Sequence, residues 1–120
     1  MLIIISLFIV AAIMGLIMLV QIFSNKKPDK IVAYSHGLFA ATSIALLFFQ
    51  VLQGGNDKLV NLLMFVFVAL IGIYMVYREF YSAQAKKSDS TKSEVPKSVV
   101  IVHALSAVIA FALLVVGYLS

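Results

Sequence analysis

The chain has 120 residues, 63% of them hydrophobic and 12% charged, with a formal net charge of +4 and no cysteine. A soluble core of this length cannot hide so much apolar surface and would leave large exposed patches, so the composition points to a lipid bilayer as the solvent. The missing cysteines exclude iron–sulfur clusters, thiolate zinc sites and covalent haem attachment. The positive charge lies between apolar runs, which argues for membrane topology and against nucleic acid as a partner.

The first apolar run, residues 2–23, has no basic flank and no convincing small-residue cleavage site, so it reads as a retained helix and not as a cleaved signal peptide. A short segment follows with Lys26, Lys27 and Lys30 against Asp29. The second run covers residues 31–53 and ends in Gly54-Gly55-Asn56-Asp57, a turn signal that predicts a tight hairpin. The third covers residues 59–80. Residues 82–96 are polar, with Lys86, Lys87 and Lys92, and read as a mobile connector. The fourth run covers residues 98–119. Each run matches the ~20 residues that cross a hydrocarbon core. The expectation is a single all-α membrane domain, a four-helix up-down bundle. The lysines place the first and third loops in the cytoplasm and both termini outside, in what is expected to be a bacterial inner membrane.

The second and fourth runs resemble each other. Lys30-Ile-Val-Ala-Tyr-Ser-His36-Gly-Leu-Phe-Ala-Ala-Thr-Ser-Ile-Ala-Leu-Leu47 aligns without gaps on Lys97-Ser-Val-Val-Ile-Val-His103-Ala-Leu-Ser-Ala-Val-Ile-Ala-Phe-Ala-Leu-Leu114, sharing Lys, Val, His, Leu, Ala, Ala, Leu and Leu. The first and third runs align as well. Phe8, Ala12, Gly15, Met18 and Phe23 fall on Phe65, Ala69, Gly72, Met75 and Phe80. Together these matches suggest a duplicated two-helix hairpin whose copies run parallel, related by a pseudo-two-fold axis along the membrane normal. Ala12, Gly15, Ala69 and Gly72 would let helix backbones approach closely.

His36 and His103 are the only histidines. An ionisable residue inside a span is a functional hypothesis by default, and here there are two in register. Each follows its lysine by six residues, which puts both rings about 9 Å in from that boundary at ~1.5 Å per residue. In an up-down bundle the second and fourth helices face each other across the core, where two imidazoles can provide both axial ligands of a haem iron. Gly37, Ala40, Ala104 and Ala107 are small enough for a flat macrocycle to lie against. Lys30 and Lys97 are placed for its propionates, and the third helix brings Tyr74 and Arg78 to the same level. The Arg78 fork matches a carboxylate best. Met18 and Met75 share a similar depth and read as packing.

In these features the chain resembles the membrane b-type cytochromes, including the b561-like bundles and the haem-bearing anchors of respiratory enzymes. That resemblance implies non-covalent haem b held by His36 and His103, and electron transfer with a quinol or a redox protein, without hydrolase or transferase chemistry. The b561-like proteins usually carry a second histidine pair. One chain here has none, and a homodimer would bring two sites together. Two alternatives stay open: a cofactor-free accessory subunit whose histidines fix helix register, and a small transporter or channel with a histidine proton relay. No Asp or Glu lies mid-span, which disfavours a proton-coupled exporter.

Overall fold

A computed structural model describes residues 1–82 and 92–120. The described residues form α1 (Leu2–Phe23), α2 (Lys30–Leu52), α3 (Leu59–Val76) and α4 (Lys97–Leu119). All four stretches are long and apolar enough to cross a membrane, the third counted as Asn56–Tyr81. In a bilayer the backbone must satisfy its own hydrogen bonds, and a continuous helix does so within one segment. The boundaries of α1, α2 and α4 fall within one residue of those expected from the apolar runs. The third differs. A 3-10 turn (Asn56–Lys58) precedes α3, and after Val76 the chain widens into a π-helical turn, Tyr77–Tyr81, closed by Ser82 N–H donating to the Tyr77 carbonyl at 2.8 Å.

Local chemistry explains the ends. α1 stops at Asn25, whose φ of 59° is left-handed, a conformation asparagine tolerates better than most side chains. The Asp29 carboxylate then caps α2, accepting from Ile31 N–H at 2.9 Å and Val32 N–H at 3.4 Å, as an N-cap acid should. Gly54, at φ 97°, turns the chain after α2. Pro96 stands where a cap for α4 would, and no side chain caps that helix.

The helices pack around a ring. α1 lies on α2, α2 on α3, α3 on α4, and α4 closes against α1. The bundle measures 48 × 23 × 22 Å. Its interior has two apolar clusters. One joins Ile4, Ile5, Phe8, Leu47, Leu62, Phe65, Ala110 and Leu114. There the rings of Phe8 and Phe65 stack with centroids 4.1 Å apart. The other, at the lysine-rich end, joins Ile22, Val95 and Val100, with Met75 packed against it. Outward side chains such as Ile3, Ile31 and Leu119 are more than two-thirds exposed, as lipid-facing residues should be.

The connector expected over residues 82–96 lies mainly on 83–91, with Lys86 and Lys87, outside the described residues. Its described flanks are fastened. Ser82 and Val95 are buried. Glu79, 3% exposed, accepts hydrogen bonds from Ser93 Oγ at 3.0 Å and from the backbone N–H of Glu94. The π-helical turn thus carries an acid inward, where it anchors the strand of chain that leads into α4.

Candidate functional site

Along α1 the first cluster occupies residues 4–8 and the second begins near residue 19. Along α4 the second cluster ends at Val100 and the first resumes at Ala110. His36 and His103 sit in the interval between them. Their ring centroids are 6.3 Å apart, with planes inclined at 69°. The facing pair inferred from the repeat is therefore present, and it marks the break between the two apolar clusters.

Each ring rests on a glycine of the preceding helix. A Cβ on Gly15 would come 3.0 Å from Cε1 of His36, and one on Gly72 would come 3.2 Å from Cε1 of His103. The sequence suggested that these glycines let helices approach. Their closest neighbours here are the imidazoles, so each glycine is the seat of a ring. Nδ1 of His36 stands 2.7 Å from the carbonyl of Ala11. A carbonyl only accepts, so Nδ1 carries a proton and is the donor in this bond. Buried Nδ1 of His103 has no partner at strict hydrogen-bond geometry among the described residues, but it has a looser bond to the backbone of Val68, one turn before Gly72 as Ala11 is before Gly15.

The small residues divide. Ala40, Ala104 and Ala107 are half-buried, and Ser43 and Ala110, two turns beyond the histidines, are fully enclosed. Gly37 is exposed and a Cβ there would meet nothing within 4 Å. One residue turns a helix by about 100°, which carries Gly37 away from the face that His36 presents inward.

At the lysine-rich end the contacts cross between hairpins. Lys30 of α2 lies over Phe80, just beyond α3, at 5.7 Å, and Lys97 of α4 lies over Phe23 of α1 at 5.7 Å, within cation–π range. Lys30 also stands over Tyr34 and Tyr81, whose hydroxyls are hydrogen-bonded to each other. Both lysines keep exposed positions. Between described residues the one ion pair is Lys58 with Asp57, at the other end of the bundle.

Arg78 donates to Tyr74 Oη and to the Glu94 carbonyl, each at 3.4 Å, and its buried Nε has no partner. Tyr74 is exposed. Arg78 and Tyr74 therefore face the segment entering α4, and the structure does not bring them to the imidazoles. Glu79 was missed from sequence. The available signal was an acid placed one residue inside the end of an apolar run. Among the described residues no group of three or more His, Cys, Asp or Glu could share a metal ion.

No protein-family model, curated protein or solved structure matches the chain.

Proposed function

We propose that the chain is a membrane haem b protein in which His36 and His103 supply both axial nitrogens, with electron transfer as its role. The observation that carries this is the pair of imidazoles facing across the interior, each seated on a glycine. Two imidazoles bound to one metal atom between them, with metal–nitrogen bonds of about 2 Å, have ring centres roughly 6 Å apart. The separation here is 6.3 Å. The donor set fits as well. A zinc site needs three or four protein ligands, whereas haem brings four nitrogens and asks the protein for two.

The residues have distinct parts in this proposal. His36 donates from Nδ1 to the Ala11 carbonyl, which fixes the tautomer that leaves Nε2 free to ligate, the usual outer-shell arrangement for a metal-bound imidazole. Gly15, Gly72, Ala40, Ala104 and Ala107 keep bulk away from the flat group. Lys30 and Lys97 offer positive charge to its propionates, and Arg78, held near Glu94, is the more distant candidate. Bound haem would supply one-electron exchange, with a quinol or a redox protein as donor. The apolar cluster built on Phe8 and Phe65 keeps water out from the opposite end.

The proposal extends to organisation. The matched contacts of His36 on Gly15 and His103 on Gly72, and of Lys30 on Phe80 and Lys97 on Phe23, support a duplicated hairpin with parallel copies. The lysine bias supports cytoplasmic placement of the first and third loops.

The test is a visible spectrum of the detergent-purified chain from haem-sufficient cells, oxidised and then dithionite-reduced. The expected result is a Soret band with sharp reduced α and β bands. A chain that stayed colourless after haem addition would return the accessory-subunit alternative to first place.

A further inference from the structure

At the lysine-rich end a pocket of about 330 Å³ lies between the end of α1 and the segment entering α4. It is lined by Ile22, Asn25, Lys92, Ser93, Val95 and Lys97. Ile22 and Val95 are buried and give it an apolar base. Ser93 is fixed in its wall, because the hydroxyl donates to Glu79 at 3.0 Å. Asn25, Lys92 and Lys97 are exposed and form its polar rim. No described carboxylate lines the pocket, and Glu94, the nearest acid in the chain, is not part of the lining. Among the described residues neither ammonium has an ion-pair partner, the one pair being Lys58 with Asp57.

The aligned corner of the first hairpin shows what leaves this one open. Lys30, the counterpart of Lys97, stands over Tyr34, Phe80 and Tyr81, and the two tyrosine hydroxyls are hydrogen-bonded to each other. Ile101 and Ser24 occupy the positions that align with Tyr34 and Tyr81, so no pair of rings closes over Lys97. Pro96 aligns with Asp29, so the second copy also lacks the carboxylate that lies among the first lysines. What remains is two uncompensated ammoniums and an amide around an apolar base, at the level where two membrane-long helices end. Lysines at this level attract anionic lipids. We propose that the pocket binds the phosphate of an anionic phospholipid. Lys92 and Lys97 meet the phosphate oxygens, the Asn25 amide donates beside them, and Ile22 and Val95 take the apolar start of the lipid, for which a free phosphate has no equivalent. Haem plays no part in this site. Lys97 is shared with the propionate assignment and Lys92 is not, so Lys92 carries the test.

The test uses the full chain as purified, 15N-labelled, in phosphatidylcholine nanodiscs into which phosphatidylglycerol is titrated. The amide signals of Asn25, Ser93 and Lys97 should shift and saturate, while that of Lys58, at the other end of the bundle, should only drift with surface charge. Lys92→Gln should weaken the response about fivefold, the usual effect of one lysine at an anionic surface, and Lys92→Arg should retain it. Lys27→Gln removes the same charge outside the pocket and should leave the response unchanged. Shifts that never saturate, or equal weakening by Lys92→Gln and Lys27→Gln, would overturn the proposal in favour of general surface charge. The same shifts produced by inorganic phosphate in phosphatidylcholine alone would overturn the lipid assignment. Each of these outcomes leaves the haem proposal to its own spectrum.

Discussion

The first hairpin, α1 with α2, and the second, α3 with α4, are built on one plan with different fastenings. Both seat a histidine of the later helix on a glycine of the earlier one, and both end in a phenylalanine under a lysine of the other hairpin. The first is closed locally. A six-residue connection is secured by Gln21 Oε1 accepting from Asp29 N–H at 3.1 Å, and Asp29 caps the helix that follows. The second has a longer connection and no side-chain cap. Arg78, at the position of Gln21, reaches the Glu94 carbonyl, and Glu79 replaces Ile22 to hold Ser93 and Glu94. Aligned positions carry the imidazole seats in both hairpins, while the contacts that close each hairpin differ. The same seat is thus combined with two different closures.

The largest test of that contrast replaces each histidine in turn. If the haem proposal holds, His36→Ala should lose haem altogether, because the ring bonded to the Ala11 carbonyl at 2.7 Å is gone. His103→Ala should retain haem in a five-coordinate, high-spin form. Haem-to-protein ratio and the visible spectrum separate the two, and identical behaviour would erase the difference claimed between the hairpins.

A smaller effect is expected at Glu79. Glu79→Ala removes the carboxyl that accepts from Ser93 Oγ and Glu94 N–H, a loss of about 1–3 kcal/mol. Thermal unfolding in detergent should fall, and proteolysis between α3 and α4 should quicken. Ile22→Ala in the first hairpin should leave proteolysis of its short connection unchanged.

Next come the glycines. Gly15→Ala should displace the His36 ring more than Gly72→Ala displaces that of His103. Overpacking of this kind costs about 1–3 kcal/mol, so Gly15→Ala should be the less stable and the weaker in haem retention. The reverse order in a thermal and haem-loading comparison would count against the tighter seat assigned to His36. The smallest effect belongs to the caps. Asp29→Ala should cost about 1 kcal/mol, read as a lower unfolding temperature. Pro96→Ala, which removes no side-chain hydrogen bond, should change stability much less.

The four helices were legible because apolar runs of membrane length leave the backbone few other choices. The facing of His36 and His103 was legible too, since a gapless repeat fixes equal depth and the ring of helices fixes the diagonal. The seats were half visible. Gly15 and Gly72 stood out as matched small residues, but their partners arise from side chains on another helix. The Ala11 carbonyl left no trace, because every residue carries one. Glu79 was hidden for a related reason. Its partners come from beyond the long connection, and its inward position depends on a π-helical turn that apolar patterning does not encode.

The depth of the imidazole pair has an electrical consequence. His36 lies six residues from the start of α2 and sixteen from its end, so a charge brought to the rings from the lysine-rich end traverses about a quarter of the helix. A membrane potential of 100 mV then alters its energy by only about 0.6 kcal/mol, against about 1.7 kcal/mol for delivery from the other end. Charging of the pair from the near side is thus largely insulated from swings in voltage, while traffic through the Phe8–Phe65 half would bear most of the field.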